Sequence, residues 1–66
     1  MAFEQLKGDY DKALKKLPEK QRTVFLLSRV ENLKYSEIAD MLDISVKAVE
    51  KRMNLALNHL RTFLIQ

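Results

Sequence analysis

Apolar residues recur along most of this chain at steps of three and four, the spacing that lines one side of an α-helix. Phe3, Leu6, Tyr10, Ala13, Leu14 and Leu17 form the first such stripe, and the spacing predicts a helix over about 3–16. Asp9, Asp11, Lys12, Lys15 and Lys16 mostly fall off the stripe. Gly8 weakens its early turns by about 1 kcal/mol relative to alanine. Phe3, Leu6 and Tyr10 suit either a core or an exposed partner groove. Pro18 stops this helix and suits the first turn of a second, predicted over about 18–32. Glu19 in its first turn complements the helix dipole. Val24, Phe25, Leu26, Leu27 and Val30 cover more than half of its circumference, so it is expected to be central and packed on several sides. Asn32 can adopt the left-handed conformation that closes a helix.

A short third helix fits about 35–42, with Ile38, Ala39 and Leu42 turned inward. Lys34 and Ser36 compete for its N-cap, and only Ser36 has the side chain for it. Asp43 tolerates a left-handed turn better than most residues. Ser45 then caps a long fourth helix over about 45–64. Val46, Val49, Met53, Ala56, Leu57, Leu60 and Leu64 make its inward stripe. The class is all-α: a single four-helix domain spanning residues 1–66, with no repeat, linker or low-complexity tract.

The last two helices carry the functional information. A short and a long helix joined by about three residues, with a small residue inside the first, make a helix-turn-helix. Ala39 must be small because the following helix crosses close over it. Asp43 must accept unusual backbone angles. Ile44 and Val49 must be apolar to plug the junction, while Ile38, Leu42 and Met53 fill the rest. The outward positions early in the fourth helix are then Lys47, Ala48, Glu50, Lys51 and Asn54. In such motifs, that end of the second helix enters the DNA major groove.

Charge supports this placement. Basic and acidic side chains cancel over residues 1–43. After them, Lys47, Lys51, Arg52 and Arg61 oppose Glu50 alone, which accounts for the whole formal charge of +3. An anionic partner, nucleic acid first, is expected at that end. A basic solvated helix face and a plain four-helix bundle are the bland alternatives. A plain bundle, however, matches its helices in length.

Composition closes several other routes. The absence of cysteine excludes disulfides, thiolate metal sites and a cysteine nucleophile. His59 is the only histidine, so no histidine metal cluster is expected, and His59 itself reads as a surface residue. No cofactor is implied. The longest apolar run, Val24 to Leu27, is far short of the roughly 20 residues a membrane span needs. The start of the chain lacks a signal-peptide pattern. A cytoplasmic, nucleoid-associated setting is expected. Four small helices offer little concavity for an active site, and Ser28, Ser36 and Ser45 have no histidine in reach by pattern, so no enzyme is read here.

Three segments together carry a family resemblance: Leu17-Pro-Glu-Lys-Gln-Arg-Thr-Val-Phe-Leu-Leu, Leu33-Lys-Tyr-Ser-Glu-Ile-Ala, and Ile44-Ser-Val-Lys-Ala-Val-Glu-Lys-Arg-Met, followed by Ala56-Leu-Asn-His-Leu-Arg. Over about Tyr10 to Leu64 the chain resembles region 4 of bacterial sigma factors, most closely the extracytoplasmic-function group. Asp43 stands where family members often carry glycine, and Lys34 where they often carry serine or threonine. The domain of whole sigma factors that melts the −10 element has no counterpart here, so an excised or solitary region 4 is expected.

The resemblance implies recognition of the −35 promoter element through the fourth helix. It also implies docking on the β-subunit flap of RNA polymerase core through an apolar surface of the earlier helices, with anti-sigma factors binding overlapping surfaces. By matching position it implies groove or base-edge contacts at Lys47, Ala48, Glu50, Lys51 and Asn54. Arg52 and Arg22 are implied as phosphate contacts, as are Lys34 and Tyr35 beside the third helix's N-terminal amides. Each has a plain alternative. Lys47 and Lys51 could be solvated charges, Glu50 a neighbour supporting Asn54, Arg22 a partner of Glu19 or Glu37, and Tyr35 a lid on the core. Two other functions compete: the DNA-binding output domain of a two-component-type regulator, and a helical protein-interaction module. The Leu17-Pro18 start and the Ala56-Leu57…Leu60-Arg61 ending favour the sigma reading.

Overall fold

The computed structural model describes the backbone of residues 11–65 and the side chains of residues 11–63. Phe3, Leu6, Gly8 and Tyr10, and the inward placement of Leu64, lie outside what it describes. All regular structure among the described residues is helical. Residues 11–16 form helix α1. Helices α2 (Glu19–Arg29), α3 (Tyr35–Leu42) and α4 (Val46–Ile65) follow.

Helix α4 is the spine. Both α2 and α3 pack against it and touch one another. Ala13 and Leu17 bring α1 into the same core, which continues through Val24, Phe25, Ile38, Ala39, Val49, Met53, Ala56 and Leu60. Leu14, Leu27, Leu33, Tyr35, Leu42, Ile44 and Leu57 close its edges as half-buried side chains. Tyr35 thus serves as the lid on the core that its position allowed. Most of the described residues of the inward stripes meet in this one core.

Each junction has a local cause. Pro18 lies one residue before α2, as its N-cap in extended conformation, and its carbonyl accepts from Arg22 N–H at 2.9 Å. This differs from the first-turn position expected for it. The extended ψ of Pro18 delays the first helical residue to Glu19.

Helix α2 ends three residues before the expected Asn32. Asn32 does turn left-handed, at φ 57°. To reach that turn the chain wraps back. Glu31 N–H joins Val30 N–H on the Leu26 carbonyl, and Leu33 N–H bonds the Leu27 carbonyl at 3.1 Å. Two carbonyls of the last turn, those of Leu26 and Leu27, therefore take partners beyond the end of the helix.

Helix α3 keeps its expected bounds, but its N-cap is Lys34, not Ser36. Ser36 falls inside the first turn and is exposed. The lysine side chain has no acceptor to offer a helical N–H. Instead the Glu37 carboxylate accepts from Lys34 N–H at 2.9 Å, one half of a capping box.

The turn between α3 and α4 is a Schellman closure. Asp43 sits at φ 56°, ψ 48°. Its N–H bonds the Asp40 carbonyl at 3.4 Å, and Ile44 N–H bonds the Ala39 carbonyl at 3.0 Å. Ser45 then caps α4, its Oγ accepting from Ala48 N–H at 3.0 Å. The left-handed turn and the serine cap fix the direction in which α4 departs.

Among the described residues, Val30 and Val46 are exposed where the spacing places them inward. Val30 is 66% exposed, because α2 has already ended there. Val46 is 41% exposed. It has nearly the azimuth of Met53 on α4, but lies in the first turn, ahead of the crossing with the other helices.

Candidate nucleic-acid interface

An α-helix turns about 100° per residue, which sorts α4 into two sides. Val49, Met53, Ala56 and Leu60 lie within one arc and are buried. Lys47, Glu50, Lys51 and Asn54 lie within the opposite arc, and all four are exposed. The core therefore fixes the rotation of α4, and that rotation presents two lysines, a carboxylate and an amide together. Glu50 and Asn54 make no hydrogen bond with each other.

The remaining sequence-derived positions are distributed around this face. Ala48 is half-buried at its edge, with its N–H held by Ser45. Arg52 is half-buried on the flank. Lys34 is exposed at the start of α3, while neighbouring Tyr35 is half-buried against the core. Arg22 is half-buried and separate from α4's outward face in sequence and element. Its guanidinium donates to the Lys15 carbonyl at 3.4 Å, tying the end of α1 to α2, rather than pairing with Glu19 or Glu37. One of its five N–H donors is thereby engaged. His59 is exposed, as expected of a surface residue.

A second surface lies on α2. Thr23, Leu26, Leu27, Val30 and Glu31 line a shallow groove of about 350 Å³. Spacing alone assigned Leu26 and Val30 to a buried helix. The signal was present in another form: α2 is apolar around more of its circumference than so few neighbouring helices can cover.

A smaller cleft between α1 and α4 is lined by Lys12, Ala13, Lys16 and Phe63, where Lys16 Nζ stands 4.9 Å from the Phe63 ring centroid. This cation–π contact pins the two helices at their exposed margin. Among the described residues, no group of acidic, histidine or cysteine side chains is arranged to hold a metal ion. None of the described helices is long and apolar enough to cross a membrane.

A short helix, a left-handed turn residue, a capped long helix, and a charged outward face on that long helix define a helix-turn-helix DNA-binding domain. A family model described as sigma-70, region 4, matches residues 7–60. The chain belongs to that family. It is 39% identical over 56 residues to the ferric citrate uptake sigma factor FecI of Escherichia coli (strain K12), covering 85% of this chain and 32% of that protein. The chain thus spans about a third of the length of the curated relative it matches. No solved structure matches it. The fold and the family together make this a sigma-factor DNA-binding domain of the class that recognises −35 elements.

Proposed function

We propose that the domain reads a −35 promoter element by laying the N-terminal half of α4 in the major groove, while α2 docks on RNA polymerase. The observation that carries the reading is the opposition of the two sides of α4. The buried stripe leaves Lys47, Glu50, Lys51 and Asn54 no direction but outward. Lys47 and Lys51 lie one turn apart and suit guanine O6 and N7; Glu50 suits a cytosine amino group; Asn54 suits adenine. Ala48 offers a methyl at the groove wall. Arg52, Arg22, Lys34 and the Tyr35 hydroxyl are the phosphate set, which positions the domain without reading sequence.

The apolar groove of α2 is the surface we assign to the β-subunit flap of RNA polymerase core. It lies on another element than the groove-reading face, so both partners can be held at once. An anti-sigma factor covering α2 or α4 would block one or both. In this reading the protein works in the bacterial cytoplasm, on the nucleoid, without catalysis of its own.

Salt dependence tests the DNA half of the reading. With about three to four phosphates neutralised, affinity for a −35-containing duplex should fall roughly 40- to 150-fold between 50 and 200 mM salt. Fluorescence anisotropy on a labelled duplex measures this. Binding that is indifferent to salt, or absent at low salt, contradicts it.

A further inference from the structure

Val46 occupies the tip of α4, and the core does not use it. Periodicity gives it nearly the azimuth of Met53, yet it is 41% exposed where Met53 is 1% exposed. A lone exposed valine is ordinary on a protein surface. Its place and its neighbours distinguish this one.

The backbone beneath Val46 is fixed on both sides. Ser45 Oγ holds Ala48 N–H, and Val49 N–H bonds the Ser45 carbonyl at 3.1 Å. In a helix, valine has one strongly preferred side-chain rotamer. Its methyl groups are thus presented in one orientation, and a contact made by them orders little that is not already ordered.

Val46 also heads a row. Glu50 and Asn54 follow at intervals of four residues, each one turn further along the helix. The parallel row begins with Lys47 and Lys51. The two rows have different chemistry. Lysines suit the acceptors on the guanine edge. The Glu50 carboxylate suits the cytosine amino group, and an apolar side chain beside it suits the thymine 5-methyl group. The cytosine amino and thymine methyl groups both belong to the pyrimidine side of the major groove.

We propose that Val46 is a specificity-determining residue that packs against the 5-methyl group of a thymine in the −35 element. This rests on the reading of α4 as the groove-entering helix. It adds a base contact that sequence spacing had assigned to the core.

Deoxyuridine isolates the claim, since it differs from thymidine by that methyl group alone. The 66-residue chain is first used to select a preferred duplex from a randomised pool at low salt. Each thymine of that duplex is then replaced singly by deoxyuridine. One replacement should weaken binding about fourfold, the worth of one buried methyl group. Val46→Ala should bind the parent duplex more weakly by a similar factor and should bind the thymine and deoxyuridine duplexes equally. Val46→Ile should keep the preference. Alanine's helix propensity offsets the loss of the partly covered methyl groups, so Val46→Ala should melt within a few degrees of the parent chain, which thermal denaturation checks.

A selected duplex with no methyl-sensitive thymine overturns the proposal. So does a methyl preference that survives in Val46→Ala. Failure to select any sequence is a separate result: it overturns the −35 reading itself, and this inference with it.

Discussion

Ile38→Ala should lower the melting temperature by roughly 10 °C or more and abolish DNA binding at physiological temperature. Ile38 is fully buried on α3, against the spine formed by α4. Its truncation removes apolar burial and leaves a cavity, at a cost of about 2–5 kcal/mol. A chain of 66 residues holds only about 3–10 kcal/mol in total. The neighbouring position tests the same contact from the other direction. Ala39 is 5% exposed, and its carbonyl receives Ile44 N–H at the turn. Ala39→Leu overpacks that site, at about 1–3 kcal/mol. Thermal denaturation followed by circular dichroism measures both. Unchanged melting of both variants would show that α3 does not seat on α4 through this pair.

The second large effect separates base reading from anchoring. Lys51→Ala should lower affinity for the preferred −35 duplex by about 1–3 kcal/mol while barely changing affinity for a scrambled one. Lys51 is exposed in the outward arc of α4, so removing its side chain leaves the core untouched. Arg22→Ala should lower both affinities together and reduce the salt slope by about one. Arg22 lies on α2, outside the proposed groove-entering helix. Its bond to the Lys15 carbonyl makes a melting control necessary for that variant. Competition between specific and scrambled duplexes reads both variants. Equal losses on both duplexes for Lys51→Ala would remove it from the recognition set. No loss on either would turn α4 toward a protein partner.

The region around the turn was legible in the sequence because single residues there have single physical roles. Asp43 tolerates positive φ, Ser45 supplies an N-cap oxygen, and Ala39 is small where backbones approach. The structure puts Asp43 and Ser45 to those uses and buries Ala39. The end of α2 was less legible. Asn32 marks where the chain reverses, but the hydrogen bonds from Glu31 and Leu33 show that regular helix stops earlier to allow it. Two residues compete for the cap of α3 in the sequence; side-chain chemistry favours Ser36, whereas the structure uses Lys34, with Glu37 reaching back to its backbone.

Burial was legible by azimuth and not by depth. Val46 and Val30 both have the right chemistry for a core. One lies ahead of the helix crossing and the other beyond the end of α2. Periodicity cannot express either circumstance, because it records angle around an axis and not position along it. For the same reason, the α2 groove and the exposed tip of α4 emerged only from the assembled fold. The outward face of α4 was legible throughout, since its rotation follows from the inward stripe.

Amide chemical-shift mapping tests the central claim most directly. The isotope-labelled 66-residue chain is titrated at low salt with a −35-containing duplex and, separately, with a scrambled one. The account predicts that the −35 duplex perturbs residues 46–54 of α4 most, with a lesser response at Lys34 and Tyr35. The groove from Thr23 to Glu31 should stay unperturbed. With the scrambled duplex, the response at Lys47 and Lys51 should shrink while that at the phosphate-contacting residues persists. A map centred on the α2 groove, or one that leaves α4 unchanged, would contradict it.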